Sequence, residues 1–216
     1  MSASGVGRNV LYDRVQTMSL LCEASKMQAL IIVLSLLSSL AYGAEPSDWS
    51  MTVYGGHYTD DSLRFDILSN SPIAFEDSYM GAVAVTHIFS RPDPAYQWEL
   101  EGQLAKHWGE QNNWEYNLLV TYRWNRFPWN SILRTTAAIG NGISYASEVP
   151  SIEDNSTYTG SSRLLDYLLL ETTFAPPMVD DWALVMRIHH RSGMMGAIDG
   201  VIGGSNVICV GLRFDL

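Results

Sequence analysis

Apolar and polar residues alternate along much of this chain, in short segments separated by turn-forming clusters. In residues 114–124 one parity reads Trp, Tyr, Leu, Val, Tyr, Trp, whereas the other reads Glu, Asn, Leu, Thr, Arg. Because successive side chains of a strand point to opposite faces, this period of two indicates β-strands with one apolar face. The pattern predicts eight strands, at residues 49–58, 78–90, 95–108, 113–124, 131–146, 162–174, 182–192 and 205–215.

The lengths and number of these segments favour one fold. No run of 18 apolar residues occurs in 44–216, so the sequence predicts no membrane-spanning helix there. Eight strands of this length are typical of an all-β protein, an eight-stranded antiparallel transmembrane β-barrel of the outer-membrane type. A soluble, lipocalin-like barrel that binds an apolar ligand is the alternative, since it also alternates.

Charge narrows the choice between these two barrels. The chain has 13 basic and 23 acidic residues, a net charge of −10, and its only lysines are Lys26 and Lys106. This balance excludes an electrostatic nucleic-acid binder, and the polar parity pairs Glu with Arg where a solvated face would be rich in lysine. Charges inside a narrow barrel are tolerated when they are paired. We therefore expect an inward network of Glu99, Glu101, Glu115 and Glu171 with Arg123, Arg134, Arg187 and Arg213.

Tryptophan positions are also typical of a membrane barrel. Six of the seven lie near predicted strand ends, where aromatic side chains form the two girdles at the membrane interfaces. These six are Trp49, Trp108, Trp114, Trp124, Trp129 and Trp182.

An export signal precedes the predicted strands. Lys26 is followed by a twelve-residue, mostly apolar segment, residues 29–40, and then by Ala41-Tyr42-Gly43-Ala44. A basic residue, a short apolar core and a small-x-small site describe a secretory signal peptide. We expect 1–43 to be a leader and signal peptide, with Met27 as the true start, and 44–216 to be a single barrel domain. A transmembrane anchor is the alternative, but the apolar run is short for a span.

Candidate chemistry lies at the end of the seventh predicted strand. His190 and Ser192 are two residues apart and therefore share one face, outward toward lipid, while His189 and Arg191 point inward. An imidazole beside a hydroxyl can activate a serine nucleophile. The eighth strand returns from the same rim, so Asn206 should lie beside the pair and orient the imidazole. Backbone N–H groups around Gly193 are candidates for an oxyanion hole. Asp199, in the connecting loop, is another candidate for the third role.

Metal and phosphate sites have little support in the sequence. His57, His87 and His107 lie on separate predicted strands, and no Cys/His cluster has the spacing of metal ligands. The stretch Gly193 to Gly204 lacks the Lys-Ser/Thr of a phosphate loop, so it is interpreted as a flexible hairpin. We predict no cofactor and no metal.

The last thirty residues carry a family resemblance. The exported eight-strand pattern, His190-Arg191-Ser192 on the penultimate strand and the closing Gly-Leu-Arg-Phe resemble the lipid A 3-O-deacylases, the PagL-type acyloxyacyl hydrolases. The resemblance implies an outer-membrane barrel that hydrolyses an ester-linked acyl chain of lipid A, with His190 as general base and Ser192 as nucleophile. It implies lipid A or lipopolysaccharide as partner and a Gram-negative outer membrane as location.

The chain departs from that family at two positions. Gly193 follows the serine where the family usually has Asn, and the family's glutamate falls near Asn206, where this chain has no carboxylate. A non-catalytic small outer-membrane barrel, structural or adhesive, is therefore the alternative function.

Overall fold

The computed structural model describes residues 47–59, 73–153 and 160–216. The predicted leader and signal peptide, residues 1–43, lie outside the described residues. Eight strands form, and their ends lie within three residues of the predicted ends. They are β1 (Trp49–Thr59), β2 (Phe75–Asp93), β3 (Tyr96–Gly109), β4 (Trp114–Trp124), β5 (Arg134–Ala146), β6 (Leu164–Ala175), β7 (Trp182–Ser192) and β8 (Gly204–Asp215).

The strands close into a barrel in which each pairs antiparallel with its neighbours in sequence, and β8 pairs with β1. Closure leaves no sheet edge, so the backbone N–H and C=O groups of every strand find partners within the barrel. The all-β, eight-stranded antiparallel prediction is confirmed. Among the described residues, no helix is long and apolar enough to cross a membrane.

Outward-facing side chains form an apolar belt around the barrel. Val53, Leu104, Val120, Ile139 and Met186, from five different strands, are each 38–52% exposed. A soluble barrel would bury these residues, because large contiguous apolar patches are rare on soluble proteins. The belt, with polar and charged residues on the inside, makes this a transmembrane barrel of the outer-membrane type.

Aromatic side chains border the belt at both ends of the barrel. The end that carries β1's first residue and β8's last has Trp49, Trp124, Trp129 and Trp182, and the opposite end has Trp108 and Trp114; all six are 38–49% exposed. This arrangement matches the predicted girdles, where an amphipathic indole lies between hydrocarbon and water.

The interior at the barrel end that carries Trp49 and Asp215 is filled by a charged network. Glu99 Oε1 accepts from Arg123 Nε at 2.9 Å and from Arg213 Nη2 at 3.0 Å. Arg123 continues through Nη2 to Glu171 Oε1 at 2.6 Å. These four side chains are buried, so each charge depends on its partners for the stabilisation that water would otherwise supply.

Arg187 joins that network to the barrel's middle. Its Nη1 lies 2.8 Å from Glu101 Oε1, its Nε lies 2.8 Å from Glu171 Oε2, and its guanidinium stacks 4.5 Å from the centroid of the Tyr54 ring. Its side chain is 0% exposed. The predicted inward pairing of Glu99, Glu101 and Glu171 with Arg123, Arg187 and Arg213 is confirmed.

The other half of the interior centres on Glu115. Its two oxygens lie 2.8 Å from His107 Nε2 and 2.8 Å from His189 Nε2. Arg191 lies beside them and pairs at 2.5 Å with Glu153, a carboxylate from the short 3₁₀ helix Ser151–Glu153 that follows β5. His189 and Arg191 therefore point inward, as their parity predicts.

Arg134 corrects the predicted network. It is the first residue of β5, and its Nη1 donates to Asp180 Oδ1 at 2.7 Å, with 34% and 89% of the two side chains exposed. The interpretation was wrong because β5 begins three residues later than predicted, which leaves Arg134 at the rim. Glu115 instead accepts hydrogen bonds from His107 and His189, and Arg191 Nε lies 4.0 Å from its Oε2.

Candidate active site

His190 and Asn206 contact each other on the outer face of the barrel. The register pairs the two residues across β7 and β8, and His190 Nδ1 lies 2.8 Å from Asn206 Oδ1. Because an amide oxygen only accepts, Nδ1 carries the proton and donates it. This bond fixes the ring orientation and leaves Nε2 as the proton acceptor.

Ser192 ends β7 on the same face. It is two residues from His190 and pairs with Gly204 on the adjacent strand β8. Its hydroxyl makes no hydrogen bond to any residue in the described part of the chain. The structure thus brings all three predicted site residues together, with the His190–Asn206 bond formed and the His190–Ser192 bond not formed.

Asp166 is a neighbour of the site that the strand alternation alone does not indicate. It lies on β6 directly opposite Ser192, while Leu168 lies opposite His190. Asn141 Nδ2 donates to both Asp166 oxygens, at 2.9 and 3.1 Å. A signal was present, since Asp166 shares its parity with Leu164, Leu168, Leu170 and Phe174 and is the one carboxylate in that row.

The site lies at the barrel end opposite Trp49 and Asp215, at the level where an aromatic girdle begins. Tyr145 and Leu164 form the pair of outward residues just beyond Asp166 on that side. In a bilayer this level separates the hydrocarbon from the headgroups. The ester bonds of an acylated lipid lie at that boundary, so such a lipid would approach the site from the membrane.

The loop between β7 and β8 closes on itself through backbone hydrogen bonds. Gly193 N donates to Gly203 O at 3.2 Å, and Gly193 O accepts from Ile198 N at 3.0 Å. The N–H of Gly193 is therefore occupied, which removes it from the predicted oxyanion donors. Asp199 is exposed in this loop, on backbone with φ of 53°, and forms no described contact with the site.

The departure at Gly193 has a steric reason. A Cβ at this position would lie 2.1 Å from Val201 O and 2.6 Å from Val201 Cβ, and both atoms are held by the buried Val201. Backbone atoms of a packed loop cannot move aside as the end of a flexible side chain would. Any residue larger than glycine, including the family's Asn, is excluded unless the loop shifts.

We expect Gly193→Asn to destabilise the barrel by about 1–3 kcal/mol, the usual range for overpacking, and to lower any activity of the site. The measurement is the urea midpoint of the refolded protein in detergent. Gly200→Asn is the matched control, because a Cβ there meets nothing within 4 Å and φ is +71°, which Asn tolerates. Equal midpoints for both variants would contradict this explanation of Gly193.

The remaining histidines have other surroundings. His57 stacks between Phe75 and Tyr79 at centroid distances of 4.7 and 4.5 Å, and His87 stacks on Trp49 at 4.4 Å. Within the described ranges, no group of three or more His, Cys, Asp or Glu side chains has the arrangement of a metal site.

Comparison with known proteins supports the fold. No family model and no curated protein match the chain. Among solved structures, the barrel is similar to that of the outer membrane enzyme PagL, with a TM-score of 0.56 at 7% identity over 77% of this chain and 99% of that one.

It is also similar to Neisserial surface protein A, with a TM-score of 0.48 at 11% identity over 79% of this chain and 98% of that one. The N-terminal barrel domain of Pseudomonas aeruginosa OprF gives 0.45 at 10% identity, over 79% and 98%. At 7% identity, the likeness to the outer membrane enzyme PagL is one of fold.

Proposed function

We propose that this protein is an outer-membrane carboxylic ester hydrolase that removes an ester-linked acyl chain from lipid A or a related glycolipid. The observation that carries the proposal is the 2.8 Å bond from His190 Nδ1 to Asn206 Oδ1 beside Ser192, on the lipid-facing side of the barrel. Polar side chains that face lipid carry a desolvation cost, which a functional role would explain. The likeness in fold to an outer membrane enzyme supports it.

The reaction follows from the side chains at the site. Ser192 Oγ attacks the acyl carbonyl carbon while His190 Nε2 takes the hydroxyl proton. The tetrahedral intermediate collapses, the C–O bond to the sugar breaks, and His190 returns the proton to the sugar oxygen. Water then adds to the acyl carbon with His190 Nε2 as base, the bond from that carbon to Ser192 Oγ breaks, His190 returns the proton to Ser192 Oγ, and the fatty acid leaves. Asn206 holds the imidazole in the required tautomer throughout.

Location is part of the proposal. An apolar belt between two aromatic girdles needs a bilayer, and the predicted signal peptide would carry the chain across the inner membrane. We expect the protein in the outer-membrane fraction of Gram-negative cells. Its gel migration before and after boiling should differ, because a closed barrel resists detergent until it is heated.

The test is mass spectrometry of lipid A from cells with and without the protein. We expect lipid A to lose the mass of one acyl chain, and purified protein with purified lipid A to release one fatty acid per lipid. A folded barrel that leaves lipid A unchanged, alongside a deacylase that acts in the same assay, would remove the enzyme proposal. A structural or adhesive barrel would then be the better assignment.

A further inference from the structure

Polar side chains on the outer face of β5–β8 are concentrated in one patch. Apart from aromatic residues, the outward positions of these four strands carry seven polar residues, and all but Thr135 and Thr172 lie at neighbouring places in the ladder. One lateral row contains Asn141, Leu168, His190 and Asn206, and the next contains Ile143, Asp166, Ser192 and Gly204. This patch is larger than the His-Ser-Asn set and includes one carboxylate.

The proposed reaction places a positive charge on His190 that needs a negative charge nearby. When His190 accepts a proton it becomes an imidazolium at the edge of a low-dielectric bilayer, where a lone charge is costly. Its hydrogen-bond partner is the uncharged amide of Asn206. The amide orients the ring but supplies no negative charge to stabilise the imidazolium.

Asp166 carries a carboxylate that needs a positive charge nearby. The residue is 9% exposed, and its carboxylate oxygens are bonded by the neutral amide of Asn141. No cation in the described part of the chain pairs with it. Residues on adjacent strands that are diagonal to one another, as Asp166 and His190 are, lie within reach of each other's electrostatic field.

We infer that Asp166 is the carboxylate of this site, a positioning residue on β6 whose negative charge stabilises the His190 imidazolium. This inference rests on the proposed function. It places the acid on the side of His190 opposite β8, so that β6 supplies the charge and β8 supplies the hydrogen bond. Asn141 holds the carboxylate in place from β5.

The first test is Asp166→Asn, which keeps the shape and removes the charge. We expect kcat for acyl release from purified lipid A to fall about 10²-fold, within the usual range for groups that assist proton transfer, with KM nearly unchanged. Thr172→Val is the control, because Thr172 lies outward on the same strand but away from the patch. That variant should keep wild-type kcat, and both variants should keep the heat-modifiable migration of a folded barrel.

Relocating the charge separates electrostatics from packing. In the Asp166→Asn background, Asn206→Glu returns a carboxylate from β8, while Asn206→Gln returns only a similar shape. We expect the glutamate double variant to exceed the glutamine double variant at least tenfold in kcat. If Asp166 mattered only for packing, a carboxylate placed on β8 would not restore the activity.

Outcomes for the inference and for the proposed function differ. Wild-type kcat in Asp166→Asn, or equal kcat in the two double variants, would overturn the role of Asp166 while the enzyme proposal stands. Wild-type protein without any acyl release would overturn both.

Discussion

Ser192→Ala is expected to abolish acyl release, with a fall in kcat of about 10³-fold or more. The hydroxyl is the atom that bonds to the acyl carbon, so no neighbouring group replaces it. The barrel should remain folded and inserted, because Ser192 ends β7 at the rim and its hydroxyl bonds no other described residue. The assay is fatty-acid release from purified lipid A by purified protein, read by mass spectrometry.

Variants of its neighbours show whether the loss is chemical. His190→Ala should be as inactive as Ser192→Ala, since the general base is gone. His189→Ala is the matched control: it changes an adjacent histidine that points inward and bonds Glu115 at 2.8 Å, so it should lower stability and keep most of the activity. Full activity in Ser192→Ala would remove this site while leaving the enzyme proposal open to another nucleophile.

Substitutions of Asn206 give intermediate results. Asn206→Ala should lower kcat by less than Ser192→Ala, because an orienting amide carries no charge to the imidazolium. Asn206→Glu introduces on β8 the glutamate that the lipid A 3-O-deacylases have near this position, and it should preserve or raise activity. A complete loss of activity in Asn206→Glu would contradict the role assigned to this position.

The strands could be predicted from the sequence because each strand of a membrane barrel has one face toward lipid and the other toward a polar interior. Val120 faces lipid and Thr121 faces the interior, and outward and buried positions alternate in this way along the strand. Strand ends carry less information, since polar residues suit both the rim and the turns. Its inward parity therefore predicts Arg134 inside the barrel, whereas the residue pairs with Asp180 at the rim.

Residues of the site could be predicted in part. The i, i+2 spacing of His190 and Ser192 fixes their common face, and the short path between β7 and β8 brings Asn206 alongside. To predict Asp166 as a neighbour of Ser192, one needs the register between β6 and β7. That register depends on the turn at 176–181 and is not set by alternation alone. The loop atom that excludes a side chain at Gly193, Val201 O, is eight residues away and left no sequence signal.

Arg187→Ala is expected to destabilise the barrel by about 3–5 kcal/mol, the cost of breaking a buried ion pair from one side. The guanidinium bonds Glu101 at 2.8 Å and also Glu171, and no part of the side chain is exposed. Glu171 would keep Arg123 at 2.6 Å, but among the described residues Glu101 would keep only neutral donors, Thr86 and Gln103 among them.

The measurement is urea unfolding of the refolded protein in lipid vesicles, followed by loss of the heat-modifiable gel band. Arg134→Ala is the matched control, because its exposed pair with Asp180 should be worth about 0–1 kcal/mol. Adding Glu101→Gln to Arg187→Ala removes the stranded charge and should recover part of the loss. An unchanged midpoint in Arg187→Ala would contradict the cost expected for a stranded Glu101 carboxylate. Recovery in the double variant separates an uncompensated carboxylate from the loss of the guanidinium packed on Tyr54, which the second substitution does not replace.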